Sequence, residues 1–91
     1  MYFFYIFECK DKSFYAGVTN NPSKRELLHN SGLGAKYTAS RGGGKIIYTE
    51  RYRSLKNAMK REAEVKKWPR KKKEKLVLGL TKKKFVLIEN T

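Results

Sequence analysis

Ninety-one residues are enough for one small domain, and at 40% hydrophobic and 13% aromatic the chain carries enough apolar material to fold unaided. Two prolines and seven glycines argue against a disordered or fibrous class, and the single cysteine, Cys9, rules out an internal disulfide. Twenty-two Lys plus Arg against eight Asp plus Glu leave a net charge of +14, which favours a polyanionic partner, nucleic acid first and an anionic membrane surface second.

The start, Met1 to Phe7, is hydrophobic but lacks the basic region and small-residue cleavage site of a signal peptide. No apolar run approaches the roughly 18 residues that cross a bilayer. A cytoplasmic protein in a reducing compartment, with no membrane association, is the expectation.

Tyr2 to Cys9 reads as a strand, Lys10-Asp11-Lys12 as a polar turn, and Ser13 to Val18 as a second strand. A three-residue turn sets Cys9 opposite Ser13 and puts Tyr5 and Tyr15 on one face, on diagonal positions; a two-residue turn separates them. Asn21 is placed to cap a helix with Pro22 at its first position, running through Arg25 and His29 and stopping near Ser31-Gly32. Arg25 and His29, four apart, share a face. Ser31 to Gly44 is glycine-rich and polar and reads as a long loop, of the kind that carries function in so small a domain.

Lys45 to Tyr52 is a third strand. Ser54 caps a second helix whose Leu55, Ala58, Met59 and Val65 are spaced as one apolar stripe, with Glu62 in its middle. Pro69 breaks the chain after Trp68 and opens a short basic helix from Arg70 to about Leu78. Residues 79–91 form a basic tail with a strand-like Phe85-Val86-Leu87-Ile88, separate from a domain at 1–78. The order strand, strand, helix, strand, helix, helix predicts an α+β fold, a small three-stranded, mostly antiparallel sheet flanked by helices.

One Cys and one His do not make a zinc site of Cys/His type, and neither GxxxxGKS nor GxGxxG occurs. Glu62 is the carboxylate that stands out. On an apolar stripe it must be paired, hydrogen-bonded, metal-bound or exposed in a cleft. A salt bridge to a neighbouring Lys or Arg is one reading; a ligand for Mg²⁺ or Mn²⁺, which accept one or two carboxylates alongside water and phosphate oxygens, is the other. Taken singly, Tyr5 and Tyr15 on an aromatic strand belong more often to a core than to catalysis, Arg25 is one of many cations, and His29 can simply cap or pack.

Tyr5, then Phe14 to Thr19, Pro22-Ser23-Lys24-Arg25 with His29 to Gly32, Gly34 to Thr38, and Arg61 to Trp68 together resemble a GIY-YIG nuclease domain over about residues 2–78. The likeness is greatest to small, stand-alone bacterial members, which are similar to the nuclease domain of structure-selective DNA-junction endonucleases. Phe3-Phe4-Tyr5 stands where that family has GIY, so the first two residues of the motif are replaced. Tyr15-Ala16-Gly17 stands where it has YIG.

The resemblance implies metal-assisted hydrolysis of a DNA phosphodiester. Tyr5 would be the general base, helped by His29, with Tyr15 positioning water or phosphate. Arg25 would offset charge in the transition state, and Glu62 would anchor Mg²⁺ or Mn²⁺. Lys36, Tyr37 and Arg41 in the long loop, and Lys66, Lys67 and Arg70 beyond it, would form the DNA-facing surface. With no separate DNA-binding domain, choice of a branched, nicked or damaged target falls to this domain or to a protein partner. The competing expectation is a basic nucleic-acid-binding module of the same fold that does not cut.

Overall fold

The computed structural model describes residues 1–79. The elements in chain order are β1 (Tyr2–Cys9), β2 (Phe14–Thr19), α1 (Pro22–Asn30), α2 (Lys36–Ala39), β3 (Gly44–Tyr52), α3 (Leu55–Lys66) and α4 (Arg70–Leu78). The sheet has the order β2-β1-β3, and both strand pairs are antiparallel. The expected α+β architecture is present, with one element more than the sequence predicts: α2 lies inside the stretch Ser31 to Gly44, which reads as loop. The strand-like Phe85 to Ile88, and all of the tail but Gly79, lie outside the described residues. Among those residues no helix is long and apolar enough to cross a membrane.

β1 is the most apolar strand because it is central and covered on both faces; Phe4, Tyr5, Ile6 and Phe7 are all buried. The turn after it is the three-residue form. Lys12 N–H donates to Cys9 O at 2.9 Å and Cys9 N–H to Ser13 O at 2.8 Å, with Lys12 in the left-handed region at φ 72°. The Asp11 carboxylate accepts from the Ser13 N–H and hydroxyl and holds the turn closed. The resulting register pairs Tyr5 with Gly17 and Phe7 with Tyr15, so the two tyrosines share a face as expected, with ring centroids 6.4 Å apart.

Alternation along β1 divides the molecule into two cores. Phe4 and Ile6, with Ala16, Tyr48 and Tyr52, face Ala58 and Val65 of α3. Tyr5, Phe7 and Cys9 face the other way, toward Tyr15 and Ile46. Pairing shifts between Ile6, opposite Tyr48, and Phe7, opposite Ile46, leaving Ile47 as the extra residue of a bulge.

On the Tyr5 side, α1 is tied to the start of β3 by two side chains. Glu26 Oε2 accepts from Ile46 N–H at 2.6 Å and Asn30 Oδ1 from Gly44 N–H at 2.8 Å. Its beginning is as the sequence predicts, with Asn21 Oδ1 accepting from Lys24 N–H at 3.1 Å and Pro22 in the first turn.

The apolar stripe expected on α3 is narrower than its spacing implied. Ala58 and Val65 are buried, but Leu55 and Met59 are 45% and 52% exposed. The helix is held instead by a polar cluster. Glu50 of β3, fully buried, accepts from the hydroxyls of Tyr48 and Tyr52 and from the guanidinium of Arg61, whose Nε lies 2.9 Å and Nη2 3.0 Å away. Arg61 Nη1 also donates to Glu64 at 2.7 Å. A carboxylate in this position is tolerable only because its oxygens meet four donors and a counter-charge. Burial, reinforced by Glu50, pushes the Tyr48 and Tyr52 phenols well above the ordinary range.

Glu50→Ala is expected to destabilise the fold by roughly 3 kcal/mol, since it strands Arg61 and two phenols. Replacing Tyr48, Glu50, Tyr52 and Arg61 together by apolar residues of matching volume recovers much of that loss; chemical denaturation of both variants checks this. A second expectation concerns alkaline pH. Tyr5, Tyr48 and Tyr52 ionise more readily in the unfolded chain than in the fold, so their stabilisation is complete below pH about 10 and is lost as pH rises toward the folded values. Melting temperatures measured upward from pH 8 should fall across that window, and Tyr48→Phe should flatten the fall.

Candidate active site

The site begins with a missing side chain. Gly17 of β2 pairs with Tyr5, and a Cβ there would sit 2.5 Å from the Tyr5 hydroxyl oxygen and 2.6 Å from Cζ. Only glycine lets the phenol lie flat across the neighbouring strand. The ring thereby reaches α1, where Tyr5 Oη is 2.9 Å from His29 Nε2. His29 stands with its ring centroid 4.6 Å from that of Phe7 and 5.4 Å from that of Tyr15.

The opposite ring nitrogen, Nδ1, is 2.8 Å from Thr38 Oγ1, and the Thr38 hydroxyl donates to Ala35 O at 2.9 Å. Gly34 makes room for this approach, because a Cβ on it would meet His29 Nδ1 at 2.5 Å. The short helix α2 is thus docked on α1 through a buried hydroxyl–imidazole contact, with Thr38 and His29 at 0% and 1% exposure.

Charge in the site is shaped by burial. The Tyr5 phenol is pushed up to about 12, first by desolvation and then by Tyr15, while the Arg25 guanidinium beside it pulls the other way by charge and hydrogen bonding. Glu62 adds a smaller upward push, so its carboxylate acts on the same hydroxyl from α3. His29 is held below the ordinary imidazole range by desolvation and then by Arg25. Around the Tyr5 hydroxyl, therefore, Tyr15 of β2, Arg25 and His29 of α1, and Glu62 of α3 are all felt, from three different elements. At neutral pH the pair at its centre is a phenol and a neutral imidazole.

Glu62 is partly exposed rather than buried in a stripe, and Lys66 Nζ lies 3.3 Å from its Oε2. Among the described residues the carboxylate that the fold does bury is Glu50. Of the two readings of Glu62 left open by the sequence, the ion pair is present, one helical turn long. Among the described residues no group of three or more His, Cys, Asp or Glu gathers to hold a metal. A lone carboxylate suits a hard cation that keeps water and takes phosphate oxygens as its remaining ligands.

Of the residues expected to face DNA, Tyr37 and Arg41 flank the site. Tyr37 lies 5.8 Å from Tyr15 between ring centroids, and the Arg41 guanidinium stacks 3.8 Å above the Tyr37 ring while contacting Asp11 at 3.2 Å. Lys36 is exposed at the start of α2, and Lys67 is exposed at the end of α3. Arg70 is not brought to the site. It stacks on Phe14 at 3.7 Å and pairs with Glu74 at 3.0 Å, on the sheet face opposite His29.

Thr38, Gly34 and the Glu50–Arg61 pair were not singled out as site or positioning residues from the sequence. Thr38 stands in the Lys36-Tyr37-Thr38 run within a stretch that looks like loop, and α2 has no side-chain cap to announce it. Its signal was the polar-to-glycine spacing around Gly34, which has no meaning until His29 is known to lie beneath it.

Comparison with known proteins places the fold. Residues 1–75 match the family described as the GIY-YIG catalytic domain. The chain is 40% identical to a UPF0213 protein of Bacillus pumilus, over 99% of this chain and 92% of that one. It is 48% identical to the UPF0213 protein YazA of Bacillus subtilis, over 80% and 74% of the two chains. Against a UPF0213 protein of Natronomonas pharaonis the identity is 42%, over 88% and 94%. A UPF0213 protein from Bacillus halodurans, solved in solution by NMR, superposes with a TM-score of 0.55 at 46% identity, covering 86% of this chain and 84% of that one. With a family match over residues 1–75 and relatives at 40–48% identity, this chain belongs to the GIY-YIG catalytic-domain family.

Proposed function

We propose that this protein is a divalent-metal-dependent DNA endonuclease that hydrolyses phosphodiester bonds in repair or in the processing of branched DNA. The observation that carries the reading is the Tyr5 hydroxyl, 2.9 Å from His29 Nε2 and under the electrostatic influence of Tyr15, Arg25 and, more weakly, Glu62, groups carried on α1, β2 and α3. A phosphodiester transition state gathers negative charge, and Arg25 is the fixed cation placed to meet it. Glu62 would hold Mg²⁺ or Mn²⁺, which when bound supplies further positive charge at a phosphate oxygen. Tyr15, in ring contact with His29, borders the space where water or phosphate would sit.

Tyr5 takes a proton from the attacking water only after losing its own, and His29 Nε2 is the acceptor within reach. Both side chains are covered in the free protein, so substrate binding must open the approach. The +14 charge supplies the long-range attraction to DNA, with Lys36, Arg41 and Lys67 nearest in character to phosphate contacts. That cover, and the pairing of Glu62 with Lys66, are the observations that favour the second reading, a basic module that binds DNA without cutting.

The purified chain, incubated with plain, nicked and flapped duplexes and Mg²⁺ or Mn²⁺, should cut in a metal-dependent manner. Tyr5→Phe and Glu62→Ala should each lower the rate by about 100-fold or more. Salt-sensitive binding with no cutting in either metal would overturn the enzyme in favour of the module. Cleavage should also weaken at low pH: protonated His29 no longer accepts the Tyr5 proton, and its folded pKa, depressed by burial and Arg25, places that loss below about 6.5. A rate–pH profile measured at saturating metal checks the direction.

A further inference from the structure

We propose that Thr38 is a positioning residue that fixes the tautomer of His29 and so aims the Tyr5 proton at Nε2. A threonine hydroxyl has one hydrogen. Thr38 spends it on Ala35 O at 2.9 Å, which leaves only lone pairs to face His29 Nδ1 at 2.8 Å. Nδ1 must then carry the hydrogen of the neutral ring. Nε2, bare, accepts from the Tyr5 hydroxyl at 2.9 Å. The chain runs in one direction: Tyr5 O–H to Nε2, Nδ1–H to Thr38, Thr38 O–H to Ala35 O.

The reverse direction is poorer at each end. Thr38 would turn its hydrogen from Ala35 O to Nδ1, and Nε2–H would point at the Tyr5 oxygen, leaving the phenol hydrogen to find another acceptor in a covered site. Tyr5, His29 and Thr38 are at most 1% exposed, so solvent is not at hand to supply one. Nor does the geometry leave slack. Gly34 brings the chain so close that a Cβ there would fall 3.0 Å from His29 Cα as well as against Nδ1. The groups bearing on the imidazole from its surroundings are Tyr5, Tyr15, Phe7, Thr38 and the Arg25 charge, none of them an acid.

The catalytic consequence rests on the phosphodiesterase reading. The phenol proton passes from Tyr5 Oη to Nε2, leaving its electron pair on oxygen. The phenolate takes one proton from the attacking water as the water oxygen bonds to phosphorus. The leaving oxygen departs with the pair of the broken P–O bond and is protonated by solvent, and the imidazolium returns its extra proton to solvent. In the other tautomer Nε2 has no lone pair for the first step. Thr38 touches none of the reacting atoms; it acts through His29.

His29 is the only histidine, so the long-range ¹⁵N–¹H spectrum of the uniformly labelled chain contains a single imidazole. At pH 8 the wild type should show a protonated, pyrrole-type Nδ1 and a bare, pyridine-type Nε2. Thr38→Val, which keeps the shape and removes the acceptor, should move population toward the Nε2–H form, and Thr38→Ser should restore the wild-type pattern. An Nε2–H ring in the wild type overturns the proposal whether or not the valine variant folds. So does an unchanged tautomer in a valine variant whose amide spectrum shows the native fold. In cleavage assays Thr38→Val should lower kcat about tenfold or more with KM for DNA little changed, and serine should rescue it. Absence of cutting in the wild type would defeat the nuclease reading, while the ring nitrogens would still decide the role of Thr38.

Discussion

A buried imidazole with both nitrogens committed is the constraint on which the site depends. His29 ties three elements together, β1 through Tyr5, its own helix α1, and α2 through Thr38. Two glycines exist to permit it. Gly17 lets the phenol cross β2, and Gly34 lets the α2 turn close on the ring. A polar triad sealed from water is costly unless each member is satisfied, and here each donor has an acceptor. The same closure that makes it stable makes it directional.

The sheet separates this chemistry from the scaffolding. Odd residues of β1 build the site, and even residues build the core beneath α3. Glu62, however, is carried by the helix on the core side, so its place relative to Tyr5 depends on how α3 is held. Arg61, its immediate neighbour in sequence, grips Glu50 with two nitrogens. A polar clamp of fixed geometry suits that task better than the slim apolar contact of Ala58 and Val65, which alone would leave the helix freer to slide and rotate.

Much of this was legible in the sequence, for identifiable reasons. The register of the first hairpin followed from turn length, because a side-chain period of two makes a three-residue turn put Tyr5 and Tyr15 together. α1 was announced by Asn21 and Pro22, and α4 by Pro69. What escaped were features without a local signature. α2 is a single turn without a side-chain cap, docked through Thr38 on His29. Glu50 reads as an ordinary strand residue, alternating with Thr49 and Arg51, until Arg61 arrives from eleven positions away to neutralise it. The α3 stripe misled because spacing places Leu55 and Met59 on a common face without saying how far the sheet beneath extends. Arg70 stacks on Phe14, a contact with the face of the sheet opposite His29 that its charge does not announce.

The central claim is that the groups around the Tyr5 hydroxyl form one site for a cation and a phosphate. Titrating the labelled chain with Mn²⁺ while following paramagnetic broadening of its amide signals tests this without requiring turnover. The account predicts broadening centred on Glu62 and extending to Gly17 and Arg25, abolished in Glu62→Ala. Broadening centred instead on Asp11, Glu64 or Glu74, or identical in the variant, would contradict it.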